Sequence, residues 1–466
     1  MLNAAASSRK VLTITLLLFA VECGFYSIWP LWRVLFPLEI DVKEGWNAYH
    51  ADAAMGKDAL YPPAGSLISN NYPPLSYYLV GTMSLVFGDA ITVGRILSIG
   101  STLAIAAIIG LCIRQLNGSK FAALLGGLWF LGTMVRYADW YVAMNDPQIL
   151  ALALMCVALL LFMRCDAKRG AEPVILLTVV AGFFKHSLVA TPATILLLLA
   201  RRNWRLALRS ALFGAGAAMT GIMLCTFVYG MSFIDQVFFY PRVISLERAW
   251  RSLDRIGGLA PCLIVWAIWA FYDRRSEAAH FTAIYIGAAF AAYLLQKSGE
   301  MTDINVQFEL IAALGIGIGL AADRALVVPI AKRFDANRIR TVIVGVLGLT
   351  LVAAPGLEPY LLVLSADYRG QFFSNTHIMK SEVSRVAAIP GKVACVFLTV
   401  CRAAGKAFVY DDVAVGQMIR TGHLTEKEVH AQFRAQGIRW AGEDVRTTLE
   451  PLRRQLFYGR PMVRGP

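Results

Sequence analysis

Long apolar runs alternate with short polar connections along most of this chain, at about 11–33, 75–87, 90–113, 119–135, 147–163, 173–200, 206–228, 257–272, 278–296, 305–322 and 340–364. The hydrocarbon core of a bilayer takes about 20 helical residues, so most of these runs predict membrane-spanning helices. Two of them depart from that pattern. The run 75–87 is short, follows Tyr72-Pro-Pro74 and ends at Gly88-Asp89. If it crossed, the basic loop 164–169 would lie outside and the loop holding Asp139 and Asp146 inside, against the tendency of Lys and Arg to stay cytoplasmic. It is therefore predicted to lie along the interface, with Tyr77 and Tyr78 at headgroup depth.

The run 173–200 is too long for one comfortable span and carries Lys185-His186 at its middle. A single helix would bury that lysine in the bilayer at a cost of about 3 kcal/mol. Both flanks are basic, Lys168-Arg169 before and Arg201-Arg202 after, and both belong on the cytoplasmic side. The pattern predicts a hairpin of two short helices with Lys185 near its outer tip. About eleven crossings result, beginning inside and finishing outside. The loops 37–72, 136–146, 230–255 and 297–307 and everything after Asp367 then face outward. This last part is different in kind: 393–398 and 407–410 predict strands and 425–435 an amphipathic helix. The expected fold class is an α-helical polytopic membrane protein, with a transmembrane domain over 1–365 (first outer loop 37–89) and a small extracytoplasmic α/β domain over 366–466.

Composition agrees, since 57% of the residues are hydrophobic and only 16% charged, far from the soluble average. The net charge of +13 comes from Lys and Arg in short loops, without the aromatic-interleaved basic stripe of a nucleic-acid binder. Arg9-Lys10 precede the first run as in a signal peptide. No small-residue cleavage site follows, and Trp29, Trp32 and Arg33 make an interfacial end, so a retained helix is expected. Of the eight cysteines, most fall within apolar runs as small core residues. Cys395 and Cys401 can pair if the tail meets an oxidising compartment. Neither a phosphate loop nor a GxSxG nucleophile elbow occurs. The spacing of His50, His186 and the nearby carboxylates suggests no metal, and no cofactor is expected.

The candidate chemistry lies in the outer loops. Glu39, Asp41 and Glu44 follow the first span at once, and acidic groups at that depth are costly without a partner or a task. Leu60-Tyr-Pro-Pro63, Asn71-Tyr-Pro-Pro-Leu75 and Gly94-Arg-Ile-Leu97 come after them. This order of helix, acidic outer loop and Tyr-Pro-Pro motifs resembles the GT-C superfamily of polyprenyl-phosphate-sugar glycosyltransferases, which includes the lipid A aminoarabinose transferase and the protein O-mannosyltransferases. The resemblance covers roughly residues 10–320, and its specific part is the outer loop.

The resemblance implies an enzyme of a bacterial inner membrane, with its amino terminus cytoplasmic and its C-terminal domain periplasmic. Its partners would be a polyprenyl-phosphate-sugar donor, the bilayer and an extracytoplasmic acceptor (glycolipid, glycan or protein), and transfer would invert the anomeric centre. The catalytic base of the family is an outer-loop aspartate, commonly in an Asp-Glu pair. Here Lys43 occupies the aspartate place before Glu44, so Asp41 is the first candidate base and Glu44 the second. A positioned base contributes about 10² to 10⁴-fold, and a leaving phosphate needs cations. Lys185, Arg95, Arg136 and Lys297 are the candidates for that role, each also able to serve as an interfacial anchor. Trp46, Tyr61 and Tyr72 would wall the sugar site. Asp146, also a natural N-cap before Pro147, and Asn305 and Glu309, one helical turn apart, complete the candidate substrate site. Two rival readings are a secondary transporter or flippase for an amphipathic solute and a non-catalytic relative. Ionisable residues gathered on one face, without internal repeats, argue against the transporter.

Overall fold

The computed structural model describes residues 2–63, 65–165, 171–300, 302–441 and Leu449. The basic pair Lys168-Arg169 and the tail beyond Ala441, Leu449 apart, lie outside the described residues. The first helix, α1 (Leu2–Arg33), is followed by α2 (Val42–Ala54) and α3 (Leu75–Phe87). The bundle continues through α4 (Ala90–Gln115), α5 (Lys120–Tyr137), the single turn α6 (Asp139–Val142), α7 (Pro147–Arg164), α8 (Glu172–Gly182), α9 (Ala190–Arg202) and α10 (Trp204–Tyr229). Short helices α11 (Met231–Val237) and α12 (Leu246–Arg251) lead to α13 (Ala260–Tyr272), α14 (Glu277–Lys297), α15 (Phe308–Asp323), α16 (Ala336–Val352) and α17 (Glu358–Leu364).

Six helices among the described residues, α1, α4, α7, α10, α14 and the stretch Ile304–Asp323 ending α15, are each long and apolar enough to cross a bilayer alone. The other segments expected to cross are helical too, but shorter, broken or, in the 18 residues of α5, less apolar. The 13 residues of α3 span only about 20 Å at 1.5 Å per residue, less than a hydrocarbon core. At the centre runs α15, with 94% of its apolar window buried, while α10 has only 6% buried and turns Phe227, Leu224 and Met223 outward. Small residues let α15 approach α5 closely: a Cβ on Gly126 would lie 2.5 Å from the Gly315 carbonyl oxygen, the kind of contact that replaces the hydrophobic effect between helices in lipid.

The run 173–200 is divided as its lysine requires. The amide of Ala171 donates to Ser210 Oγ, and a Cβ on Gly214 or Gly221 would meet Ile175 or Phe183 respectively. These pairs ascend α8 and α10 in the same direction. Helix α9 joins α10 through the single residue Asn203, whose side chain caps α10, so it must run back against both. Lys185 lies in the connection between α8 and α9.

The C-terminal part begins with α18 (Ala366–Ala388) and continues through β1 (Val393–Ala394), α19 (Leu398–Ala403), α20 (Asp412–Arg420), α21 (Glu426–Gln436) and β2 (Arg439–Trp440). The strands β1 and β2 pair in parallel, Val393 with Arg439 and Ala394 with Trp440. A capping box between Thr425 and Glu428 begins α21, and Gly437, in the left-handed region at φ +63°, ends it. The stretch 407–410, expected to be a strand, is not one: Phe408 stacks on Tyr49 at 4.9 Å and Tyr410 packs edge-on against Phe433 and Trp440. Its apolar side chains serve packing between elements rather than a ladder. Cys395 and Cys401 form a disulfide.

Candidate functional site

Helix α2 fixes the site because its first turn sends neighbouring side chains to opposite destinations. Asp41 is its N-cap, accepting from the Lys43 amide through Oδ1. Oδ2 makes no hydrogen bond to the described residues, and the carboxylate borders a cavity of about 340 Å³. Lys43 borders it as well, donating to Asp303 Oδ2 at 2.8 Å and to the Tyr141 hydroxyl at 3.0 Å, with Asp41 Oδ1 at 3.6 Å. Burial alone would depress the lysine, but Tyr141, Asp41 and Asp303 hold its pKa well above the ordinary value. Burial likewise would raise Asp303, but the charge and hydrogen bond of Lys43, helped by the Ile304 amide and Tyr141, keep it below the usual carboxylate range.

Trp46, Tyr72 and Tyr240 give the cavity aromatic walls, while Ser69, Asn71 and Thr302 add polar edges. A further wall comes from the C-terminal part of the chain, as Asp411, Val413 and Ala414. Asp411 accepts from Trp46 Nε1 at 2.9 Å and from the Ala414 amide at 3.0 Å, and burial pushes its carboxyl up to about 6. Asn70 sets the Tyr72 backbone by accepting from its amide and from the Tyr77 hydroxyl through Oδ1. The Leu75 amide then donates to the Phe183 carbonyl, which ties the Tyr-Pro-Pro segment to the α8–α9 connection.

That tie sets Lys185 beside Tyr72. Its Nζ lies 3.2 Å from the ring centre, the residue is 3% exposed, and Nζ has no hydrogen-bond partner among the described residues. A buried ammonium facing only a π-system is incompletely compensated, because cation–π attraction returns about 2 kcal/mol or somewhat more when desolvated against a desolvation penalty of several kcal/mol.

The remaining sequence candidates go elsewhere. Glu44 is wholly buried, and its carboxylate receives Arg95 through both oxygens at 2.7 Å, the Ile40 amide and the Asn145 amide. It does not border the cavity. Arg95, expected at the donor phosphate, spends its other donors on the carbonyls of Phe36 and Leu38, and so pins the loop that leaves α1. Gly94 is needed beside it, since a Cβ there would collide with the Asn145 side chain. Arg136 donates to the carbonyls of Leu351, Ala354 and Gly356, satisfying the break between α16 and α17, and covers the Tyr26 ring. Lys297 donates to the carbonyls of Thr302 and Asp303, and so holds the backbone that borders the cavity.

Tyr61 donates to the Tyr72 carbonyl from a buried cluster with Tyr229 and Phe233, behind the wall rather than on it. Asp146 caps α7 through the Gln148 amide, and Asn305 exchanges hydrogen bonds with the Gln148 side chain; neither borders the cavity. Glu309, expected to face the substrate, instead accepts from the amides of Ala190 and Thr191 and from the Thr191 hydroxyl. It supplies the N-cap that α9 lacks locally. Of the sequence candidates the cavity therefore gathers Asp41, Trp46 and Tyr72, with Lys185 behind Tyr72. Tyr240 and Asp411 carried no sequence signal, Lys43 was visible as the residue in the aspartate place before Glu44, and Asp303 only as part of a polar cluster with Glu300, Asn305 and Glu309. Among the described residues no three His, Cys, Asp or Glu side chains come together as metal ligands.

No family model matches this chain, and no curated protein matches it in sequence. Solved structures do resemble it. ArnT from Cupriavidus metallidurans bound to undecaprenyl phosphate superposes with a TM-score of 0.59 at 14% identity, over 93% of this chain and 94% of that one. The same protein in the apo state gives 0.58 at 14% identity, over 88% and 89%. The archaeal oligosaccharyltransferase AglB from Archaeoglobus fulgidus, in complex with an inhibitory peptide and a dolichol-phosphate, gives 0.51 at 11% identity, over 97% of this chain and 71% of that one. The chain thus has, along nearly its whole length, the polytopic helical fold of these membrane proteins.

Proposed function

We propose that this protein is a membrane glycosyltransferase that moves a sugar from a polyprenyl-phosphate-linked donor to an acceptor on the extracytoplasmic side. The observation that carries the reading is a carboxylate with a free oxygen, Asp41, on an aromatic-walled cavity, together with a buried lysine without a hydrogen-bond partner among the described residues, Lys185, packed against Tyr72 of the cavity wall. The related folds were obtained with undecaprenyl phosphate and dolichol-phosphate bound, lipid carriers of the expected class.

In this reading the acceptor hydroxyl gives its proton to Asp41 as its oxygen attacks the anomeric carbon. The bond from that carbon to the phosphate oxygen breaks, and the lipid phosphate leaves with the electron pair. Lys185 meets the growing charge on the leaving oxygen, where a compact ammonium acts as a point charge. Trp46, Tyr72 and Tyr240 present flat faces to the sugar. Attack opposite the leaving group inverts the anomeric centre in one displacement. With purified protein and a short-chain polyprenyl-phosphate sugar, Asp41→Asn should fold normally and lose about 10² to 10⁴-fold in transfer. Full activity in that variant would remove Asp41 as the base.

A further inference from the structure

Lys43 stands where two carboxylates from distant parts of the chain converge. Asp41 comes from the N-cap of α2, Asp303 from the connection before α15, and both border the cavity. The Lys43 ammonium is 2.8 Å from Asp303 Oδ2, 3.6 Å from Asp41 Oδ1 and 3.0 Å from the Tyr141 hydroxyl, and that hydroxyl also donates to Asp303 at 3.2 Å. Asp303 is held independently, because Lys297 grips its carbonyl at 2.8 Å and the Ile304 amide bonds its Oδ1 at 2.7 Å. The carboxylates are thus fixed by their own elements, and the ammonium is the charge between them.

We propose that Lys43 is a positioning residue, a built-in countercation that does between Asp41 and Asp303 the work a bound divalent ion would otherwise do. This rests on the reading of Asp41 as the base. Two carboxylates facing one site repel each other, and a cation between them offsets that repulsion. Lys43 supplies that charge and, through Asp303 and Tyr141, holds the Asp41 side of the cavity in register with α15. It accounts for a lysine in the aspartate place of the family's Asp-Glu pair. The groups facing Asp41 are Lys43 on its own helix, Asp303 before α15, and Asp411 and Tyr240 across the cavity, with Tyr141 of α6 behind Lys43.

The test compares wild type, Lys43→Met and Lys43→Met/Asp303→Asn, purified in detergent and matched by thermal unfolding. Mn²⁺ binding, followed by electron paramagnetic resonance, is read without turnover. Lys43→Met should gain one Mn²⁺ site that the wild type and the double variant lack. Transfer by Lys43→Met should fall about a hundredfold, the acid limb of its kcat/KM profile should rise by about one pH unit or more, and Lys43→Arg should retain most activity. Millimolar Mn²⁺, or methylammonium in Lys43→Ala, should restore at least about tenfold of the loss. A Lys43→Met protein that binds no Mn²⁺ and keeps the wild-type pH profile would overturn the proposal. If no variant, wild type included, transfers sugar, the function reading fails, and the gain or absence of the Mn²⁺ site still decides the countercation proposal.

Discussion

Lys43 and Glu44 are adjacent in the first turn of α2, and their environments are opposite. Glu44 points inward to Arg95, with nothing of it exposed and each carboxylate oxygen engaged. Lys43 points to the cavity, about a quarter exposed, and bridges two carboxylates that are themselves a quarter to a third exposed. The first pair closes the fold, tying α2 to α4 and to the chain leaving α1. The second borders space that a substrate can enter. Successive helical residues are turned by about 100°, so one turn can serve architecture and chemistry at once, and charge alone does not tell the two apart.

The sharpest way to break this comparison is to neutralise each neighbour in turn. Glu44→Gln leaves Arg95 as a buried charge without its partner and should cost about 3 to 5 kcal/mol, seen as a large drop in thermal midpoint and in recovered protein. Lys43→Met should cost about 1 kcal/mol or less, as partly solvated ion pairs do, while damaging transfer. Equal destabilisation by the two substitutions would contradict the division between them.

A smaller effect sharpens the cavity side. The Asp411 carboxyl is raised to about 6 by burial, above its unfolded value of 3.8. The folded chain therefore holds this proton more tightly than the unfolded chain, so folding is favoured at low pH and the advantage is lost as pH rises from about 4 through 6. Thermal midpoints of the wild type should fall relative to Asp411→Asn between about pH 4.5 and 7, and parallel profiles would show that Asp411 does not titrate in this window.

Much of the fold was legible in the sequence because helix-length apolar runs carry it, and the break at Lys185 because a mid-bilayer lysine is costly. The site was legible only in part. Asp41, Trp46 and Tyr72 lie between α1 and α3, where local motifs mark them. The partners of Arg136, Glu309 and Glu44 include residues 51 to 220 positions away in sequence, and no periodicity encodes such contacts. Asp411 escaped for the same reason: its partner Trp46 is 365 residues distant. The stretch 407–410 misled because β-branched and aromatic residues suit a packed loop as well as a strand.

The proposal that a lipid phosphate binds at Lys185, beside the Tyr72 wall of the cavity, and gives its sugar to an acceptor activated by Asp41 is tested most directly by steady-state transfer in Lys185→Ala. With a short-chain polyprenyl-phosphate sugar and protein matched for folding, KM for the donor should rise and kcat should fall by about tenfold or more, since the charge on the leaving oxygen grows in the transition state. Lys185→Arg should recover part of the loss, because the charge survives while its geometry changes. Unchanged KM and kcat in Lys185→Ala would contradict the claim and leave Lys185 as a lysine that merely reaches for the interface.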